Sequence, residues 1–250
     1  MDLAKIVAIA FGEERSRPPS EKEKSEAQRF CLQGETLNEQ GRFGEAEELF
    51  LAALKKEPEY EAAIGGLAWS LAGQGDGEKA LELLDQADRF EPRDAALALG
   101  RGRCLKEMGR MDEAAAAFDT AQGLDTQNAA IGYERGLCQV AMGRDDLALA
   151  SFDAVLRHNG RYAPAWDQKG DCLRRQGLLE DALACLQKAV ESDESLPSAW
   201  FNQAQVLEAL GRGAEAGRCY ARFVPLAPAH QAEKQFQARQ KALELGAALD

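Results

Sequence analysis

The sequence predicts an all-α solenoid, a stack of antiparallel helix pairs, on three observations. Glycine recurs at a fixed interval of 34 residues, an alanine follows each glycine by five residues, and a small residue precedes each by seven. The glycines are Gly41, Gly75, Gly109, Gly143, Gly177 and Gly211. A period of this length marks stacked repeats, each of which buries its apolar face against its neighbours.

Each repeat carries the pattern of two helices. In the fifth repeat, Trp166, Gly170 and Leu173 lie on one face of a first helix, and Ala182 and Leu186 lie on one face of a second. The glycine between them tolerates the left-handed conformation that ends a helix. Counted from Ala27, the repeats are 27–60, 61–94, 95–128, 129–162, 163–196 and 197–230.

Small residues recur inside the first helices, although glycine there costs about 1 kcal/mol relative to alanine. They are Gly34, Ala68, Gly102, Gly136, Gly170 and Ala204. We infer that they let the two helices of a pair approach closely. A large residue of the second helix then fills the gap to the next pair, and Phe50, Leu84, Phe118 and Phe152 occupy this position.

Residues 231–250, after the last repeat, predict a C-terminal capping helix. Its apolar stripe of Ala232, Phe236, Leu243 and Ala247 is expected to cover the open end of the last repeat. Such a cap needs a polar outer side, and the intervening residues provide one.

Residues 1–26, before the first repeat, contain two further signals. Ser20 and Glu23 form a capping-box pattern, which predicts a first helix that begins early and is longer than the others. Residues 3–11 have the spacing of a short amphipathic helix, joined by a polar linker. We favour the interpretation that this helix packs on the chain's own end or stays disordered, because isolated short helices are only marginally stable. The alternative is that it is a tethered ligand for the groove of this or another copy.

Composition and charge exclude several classes of function. A net charge of −12 and a pI of about 4.8 disfavour nucleic acid as a direct partner. No apolar stretch is long enough for a membrane span, and acidic residues flank the N-terminal apolar run, so we expect a cytoplasmic protein. The six cysteines contain no CxxC pair. Cys104, Cys138 and Cys172 share one repeat position, which favours reduced packing residues.

No catalytic constellation is present in the sequence. The only two histidines, His158 and His230, have no neighbours that suggest a triad or a metal site. There is no phosphate-binding glycine loop and no strand pattern. The sequence therefore predicts a protein that is not an enzyme and that uses neither a metal nor a cofactor.

The repeats resemble the tetratricopeptide repeat (TPR), a 34-residue helix–turn–helix unit. Trp166 and Trp200 stand at its fourth position, alanine at its twentieth position in all six repeats, and Pro58, Pro92 and Pro228 at its thirty-second. The resemblance covers residues 27–230. It implies a right-handed superhelix in which the first helices line a concave groove, with positions 2, 5, 6, 9, 12 and 13 facing that groove.

This implied groove supplies the candidate binding residues. We expect Trp69 to be exposed there, in a hollow formed by small residues such as Gly65 and Gly66. Apolar anchoring would come from Trp69, Leu99, Tyr133, Leu137 and Phe201, and orientation by charge from Arg103, Lys106, Asp167 and Arg174. Asp171 and Gln205 complete the candidate set. The lysine and asparagine clamp by which some TPR proteins hold a chaperone carboxylate is absent, since the corresponding positions include Cys31, Glu35 and Gly65.

The leading functional prediction is a non-enzymatic scaffold whose groove binds a peptide or helix of a partner protein. A second hypothesis is self-assembly, in which residues 3–11 dock into a groove of the same or a neighbouring copy and give a homo-oligomer. A third is a regulatory subunit of a separately encoded enzyme. The sequence leaves the partner unidentified in each case.

Overall fold

A computed structural model describes residues 18–90, 93–228 and 231–248, and in them it contains thirteen helices and no strand. The helices are α1 (Glu21–Glu39), α2 (Phe43–Lys56), α3 (Glu61–Gly73), α4 (Gly77–Phe90), α5 (Ala95–Glu107), α6 (Met111–Leu124), α7 (Ala129–Ala141), α8 (Asp145–His158), α9 (Ala163–Arg175), α10 (Leu179–Ser192), α11 (Pro197–Ala209), α12 (Gly213–Leu226) and α13 (Ala232–Glu244). Each predicted repeat corresponds to one helix pair. The all-α solenoid prediction is confirmed.

The chain divides into two compact units, residues 1–138 and 139–250, with the division inside α7. Unit 1 has a core formed by side chains such as Phe50, Ile64 and Leu84. Unit 2 has its own core, which includes Leu186 and Phe223. Most of these core residues come from the apolar faces that the repeat pattern predicts.

The glycine at each turn ends the first helix of its pair in the predicted way. All six have a positive φ, between 69° and 91°. In the fifth repeat, the N–H of Leu178, which follows Gly177, donates to the Leu173 carbonyl over 3.0 Å. This closes the helix end with the hydrogen bond typical of a glycine C-cap.

The small residues of the first helices lie where large residues of the second helices pack. A Cβ atom placed on Gly34 would lie 2.8 Å from Cζ of Phe50, and one on Gly170 would lie 2.6 Å from Cγ of Leu186. Real Cβ atoms do not approach a neighbour so closely. Gly34 and Gly170 therefore let the two helices of their pairs pack closely, as predicted, while the Phe50 ring also contacts Gly66 of the next pair.

Helix α1 begins as its sequence predicts and, with 19 residues, is the longest of the described helices. The Ser20 side chain accepts from the Glu23 N–H, and the Glu23 side chain accepts from the Ser20 N–H over 2.9 Å. This reciprocal capping box satisfies two donors at the helix start. Residues 3–11, the proposed amphipathic helix, lie outside the residues that the structure describes.

Helix α13 forms as predicted, but the predicted buried face is wrong. Phe236 is 61% exposed and Leu243 is 58% exposed, whereas Ala238 and Ala242 are fully buried. The physical reason is that α13 continues the repeat register. Ala238 stands 34 residues after Ala204, so the small residue packs inward and the larger apolar residues face outward.

Candidate functional site

The first-helix face of unit 1 consists of the groove positions of α1, α3, α5 and the first part of α7. Its central residue, Trp69, is only 5% exposed, so the expectation that it is open to ligand is wrong. The guanidinium of Arg103 covers the ring, with its Cζ 4.6 Å from the ring centroid. The indole N–H donates to Oε1 of Glu107 over 3.2 Å. Trp69 therefore packs between repeats and supports the surface above it.

The predicted hollow beside Trp69 is filled. A Cβ atom on Gly65 would lie 2.9 Å from the Ala96 carbonyl oxygen, because α3 and α5 approach closely at this point. The Phe50 ring occupies the space beside Gly66, and the Phe43 ring occupies that beside Gly73. Small residues in a groove position thus mark close packing here, and they leave no binding cavity.

A charged network ties the third repeat to the fourth across this face. Nε of Arg103 donates to Oε1 of Glu134 over 3.0 Å, and Nζ of Lys106 lies 2.6 Å from Oε2 of the same carboxylate. Burial acts to raise the pKa of Glu134, but Arg103 and Lys106 outweigh burial and hold that pKa below its usual range. Arg103 and Lys106 are thus engaged within the protein.

Carboxylates outnumber cations on the first-helix face of unit 1. Arg103 also lies 3.9 Å from Glu35, while Glu39 and Glu107 form no ion pair with a described residue. The groove positions hold four glutamates, one arginine and one lysine, a formal excess of two negative charges. Partial desolvation raises the pKa of Glu39, Arg103 acts against this, and the charges of Glu35 and Glu134 add to it. The raised pKa of Glu39 therefore reflects mainly its partial burial.

Apolar side chains border this charged network and remain accessible. Leu32 on α1 is 66% exposed. Leu99 on α5 and Tyr133 and Leu137 on α7 are half-buried. The face therefore offers apolar contact area next to carboxylates, and three of the predicted anchors, Leu99, Tyr133 and Leu137, lie on it.

The first-helix face of unit 2 is built differently, from α9, α11 and α13. Asp167 is only 1% exposed, and its Oδ1 accepts a hydrogen bond from Nδ2 of Asn202 over 2.8 Å. Burial raises the pKa of Asp167, while hydrogen bonds from Ser198 and Asn202 act against burial. Asp167 is therefore held inside the protein by neutral donors, away from direct contact with a ligand.

The remaining predicted residues of unit 2 are more accessible. Arg174 donates to Oδ1 of Asp171 over 2.6 Å within the same helix, so the two charges offset each other. Phe201 packs against Tyr220 with ring centroids 5.7 Å apart. Gln205 is half-buried. Charges are balanced on this face, with three acidic and three basic residues at the groove positions of α9, α11 and α13.

Sequence reasoning missed two features of these faces. Glu134 and Glu107 occupy groove positions but were absent from the candidate set, although their place in the repeat register marks them. Phe236 and Leu243 occupy groove positions of α13, and the small residue Ala238 is the signal that reveals this register.

Other chemistry is limited in the part of the chain that the structure describes. No group of three or more His, Cys, Asp or Glu residues could hold a metal ion there. No described helix is long and apolar enough to cross a membrane. All six cysteines are free thiols and buried, as the repeat pattern predicts. His158 ends α8, and His230 lies outside the described residues.

The stacked helix pairs define a helical repeat protein, and comparison with known proteins identifies its family. One sequence model of the tetratricopeptide repeat matches residues 37–104 and 71–133, and a second matches 107–165, 133–197 and 168–230. The chain therefore belongs to the tetratricopeptide repeat family. Comparison with curated proteins gives no significant match.

Solved structures with the same fold are distant in sequence. TTC0263, a thermophilic TPR protein of Thermus thermophilus, is 22% identical with a TM-score of 0.59, over 73% of this chain and 99% of that one. Pseudomonas aeruginosa pilF is 18% identical with a TM-score of 0.61, over 88% and 100%. YrrB, described as a TPR protein with an unusual peptide-binding site, is 22% identical with a TM-score of 0.54, over 76% and 97%. At these identities, the similarity establishes the fold alone.

Proposed function

We propose that this chain is a non-enzymatic scaffold and that the first-helix face of unit 1 binds a segment of a partner protein. The segment combines apolar side chains with lysine or arginine. TPR proteins generally mediate protein–protein interaction, which supports the general role. The excess of carboxylates beside exposed apolar residues is the observation from which we infer a basic, partly apolar ligand.

The arrangement of charge supports a basic ligand over an acidic one. Arg103 and Lys106 are already paired with Glu134, so an acidic ligand would have to compete with a buried carboxylate. Glu39 and Glu107 have no cation of their own among the described residues. A ligand cation near them would gain an ion pair, steer the encounter and fix the register of the segment.

The apolar contacts would provide most of the affinity. A segment that lies across Leu32, Leu99 and Leu137 removes their apolar surface from water. Each Å² buried in this way contributes roughly 25 cal/mol to the binding free energy. An amphipathic helix or an extended strand could supply the matching side chains. Charge would then decide which segment is accepted.

A matched pair of peptides tests this proposal. The two amphipathic peptides have identical apolar residues and carry either lysine or glutamate at every charged position, and fluorescence anisotropy measures their affinity for the full chain. We expect the lysine peptide to bind about tenfold more tightly, which corresponds to about 1.4 kcal/mol. The double variant Leu99→Ala with Leu137→Ala should weaken binding about tenfold or more, because apolar contact is lost.

The control removes exposed leucines away from the face. Leu147 is 52% exposed on α8 and Leu178 is 47% exposed in the turn before α10. Leu147→Ala with Leu178→Ala should leave the affinity unchanged, while circular dichroism verifies that both double variants are folded. Equal binding of the two peptides, or equal loss in both double variants, would overturn the proposal.

A further inference from the structure

Unit 2 contains a cavity on the side of α11 that faces away from the groove positions. Its volume is about 650 Å³. The cavity opens to solvent and is bordered by α10, α11, α12 and the turn after α13, and its wall includes Trp200, Gln203 and Leu207. Ligand sites typically have volumes of about 300–1,000 Å³. The cavity is large enough for two or three amino-acid residues.

The turn after α13 forms one wall of this cavity and packs closely on α12. A Cβ atom on Gly217 would lie 3.0 Å from Cβ of Leu245 and 3.3 Å from Cβ of Ala247. The chain after α13 therefore packs directly on the α12 backbone. The absence of a side chain at Gly217 allows this close packing beside the cavity.

Two hydrogen-bond acceptors of the wall are distinctive: a buried side-chain oxygen with no partner, and a backbone carbonyl that lacks its usual helical donor. Oε1 of Gln203 is buried and accepts no hydrogen bond in the described structure. Pro225 lies inside α12 and has no N–H, so the helical hydrogen bond that would end on the Ala221 carbonyl is not made. Ala221, Pro225 and Gln203 all line the cavity. A ligand that carries N–H groups would satisfy acceptors of this kind, with a rotation of the Gln203 amide towards it.

Two cations stand at the cavity rim. Arg218 and Arg222 are one helical turn apart on α12, both line the cavity, and both are exposed. Neither forms an ion pair with a described residue. The cavity also holds Glu215, but Arg212 pairs with that carboxylate over 2.7 Å and offsets its charge. The rim therefore favours a ligand carboxylate.

We propose that this cavity is a second peptide-binding site, which takes a short extended segment with a carboxylate side chain between apolar side chains. Arg218 and Arg222 bind the carboxylate. The Ala221 carbonyl and the Gln203 amide oxygen accept from backbone N–H groups of the segment. Leu207 and Trp200 contact its apolar side chains. This site is distinct from the first-helix face of unit 1 and takes a ligand of opposite charge.

The test uses the full chain and the isosteric probes acetyl-Leu-Glu-Leu-amide and acetyl-Leu-Gln-Leu-amide. Nuclear magnetic resonance follows the indole N–H signals of the three tryptophans, with the Trp200 signal assigned through Trp200→Phe. We expect the glutamate peptide to shift the Trp200 signal and to leave the Trp69 signal in place. The glutamine peptide should bind about tenfold more weakly, because it lacks the charge-assisted contacts.

Two variants separate the site from a general charge effect. Arg218→Gln with Arg222→Gln should weaken the glutamate peptide to the level of the glutamine peptide. Arg157→Gln with Arg161→Gln removes the same charge from other exposed positions of unit 2 and should leave its affinity unchanged. Circular dichroism verifies the fold of each variant.

Pro225→Ala tests the acceptor claim, because it restores the donor to the Ala221 carbonyl. We expect this substitution to lower the affinity for the glutamate peptide while it stabilises α12. Hexanoate, an apolar carboxylate without N–H groups, should bind more weakly than the peptide. The absence of a Trp200 shift, or equal affinity of the two peptides, would overturn the proposal. Equal loss of affinity in the two arginine double variants, or unchanged affinity in Pro225→Ala, would also overturn it. So would hexanoate that binds as tightly as the glutamate peptide.

Discussion

The first-helix faces of the two units use the same repeat register in different ways. In unit 1, charged side chains join one repeat to the next, since Arg103 of α5 pairs with Glu134 of α7. In unit 2, Arg174 pairs with Asp171 on its own helix, and the buried Asp167 is held by neutral donors. The pair of Glu208 and Lys241 that joins α11 to α13 is more exposed to solvent. The difference shows that charged residues at groove positions can form buried pairs between repeats or accessible pairs, and that only the pattern of partners separates the two.

The largest expected effect comes from breaking the close approach of α3 and α5 in unit 1. A Cβ atom on Gly100 would lie 2.5 Å from the Gly65 Cα, and backbone cannot yield as a side chain can. Gly100→Ala should therefore destabilise the protein by about 3 kcal/mol. Gly123→Ala on α6 meets nothing within 4 Å and should be neutral or stabilise by up to about 1 kcal/mol. Urea unfolding followed by circular dichroism compares the two, and equal stability would contradict the packing.

A second prediction compares the ion pairs of the two units directly. Arg103→Met leaves the buried Glu134 with Lys106 alone, so we expect a loss of about 2 kcal/mol. Arg174→Met removes an accessible pair within one helix and should cost about 0.5 kcal/mol or less. Urea unfolding at neutral pH measures both. Similar losses of unfolding free energy in the two variants would show that the buried ion pair of unit 1 stabilises the helix stack no more than the accessible pair of unit 2.

The two buried carboxylates should have opposite effects on stability as pH changes. The pKa of Glu134 is lowered in the folded protein, so Glu134 contributes stability above its unfolded pKa, and this contribution is lost as pH falls through the folded pKa. The pKa of Asp167 is raised in the folded protein, so Asp167 lowers the free energy of unfolding. This destabilisation develops as pH rises from the unfolded pKa through the folded pKa.

Glu134→Gln should therefore destabilise the protein at neutral pH, and the loss should shrink in acid. Asp167→Asn keeps an oxygen that can accept from Asn202, so it should stabilise at neutral pH, and the gain should vanish in acid. Urea unfolding at a series of pH values measures both differences. Parallel pH profiles for the two variants would contradict the assignment.

The smallest expected effect concerns the helix that ends unit 2. Phe236→Ser changes an exposed side chain and should alter stability by less than about 0.5 kcal/mol. Ala238→Leu places three further carbons at a fully buried position and should destabilise by about 2 kcal/mol. Thermal unfolding separates the two. A larger loss of stability in Phe236→Ser than in Ala238→Leu would indicate that the apolar face predicted from the sequence is the buried one.

Much of the fold could be predicted from the sequence because it depends on residues that repeat. The turn glycines, the small residues and the large residues that pack on them recur in phase, and each has one local packing reason. The capping box at Ser20 is likewise a short-range pattern. Such features need no knowledge of which distant residues meet.

The candidate site was harder to predict because it depends on pairs that lie far apart in sequence. Trp69 occupies a groove position, but its exposure is decided by Arg103, 34 residues later. Gly65 suggests open space until Gly100 is placed against it. Glu134 becomes important only because two cations of the preceding repeat reach it. A single sequence carries the register of these residues but not their partners.

The charge of the first-helix face of unit 1 gives the most direct test of the proposed function. Glu39→Gln with Glu107→Gln removes the two excess negative charges and keeps an acceptor for the Trp69 indole. Fluorescence anisotropy should show that the preference for the lysine peptide over the glutamate peptide falls from about tenfold to about one. Glu180→Gln with Glu191→Gln on α10 is the matched control and should retain the preference. A preference unchanged by removing Glu39 and Glu107 would contradict the account.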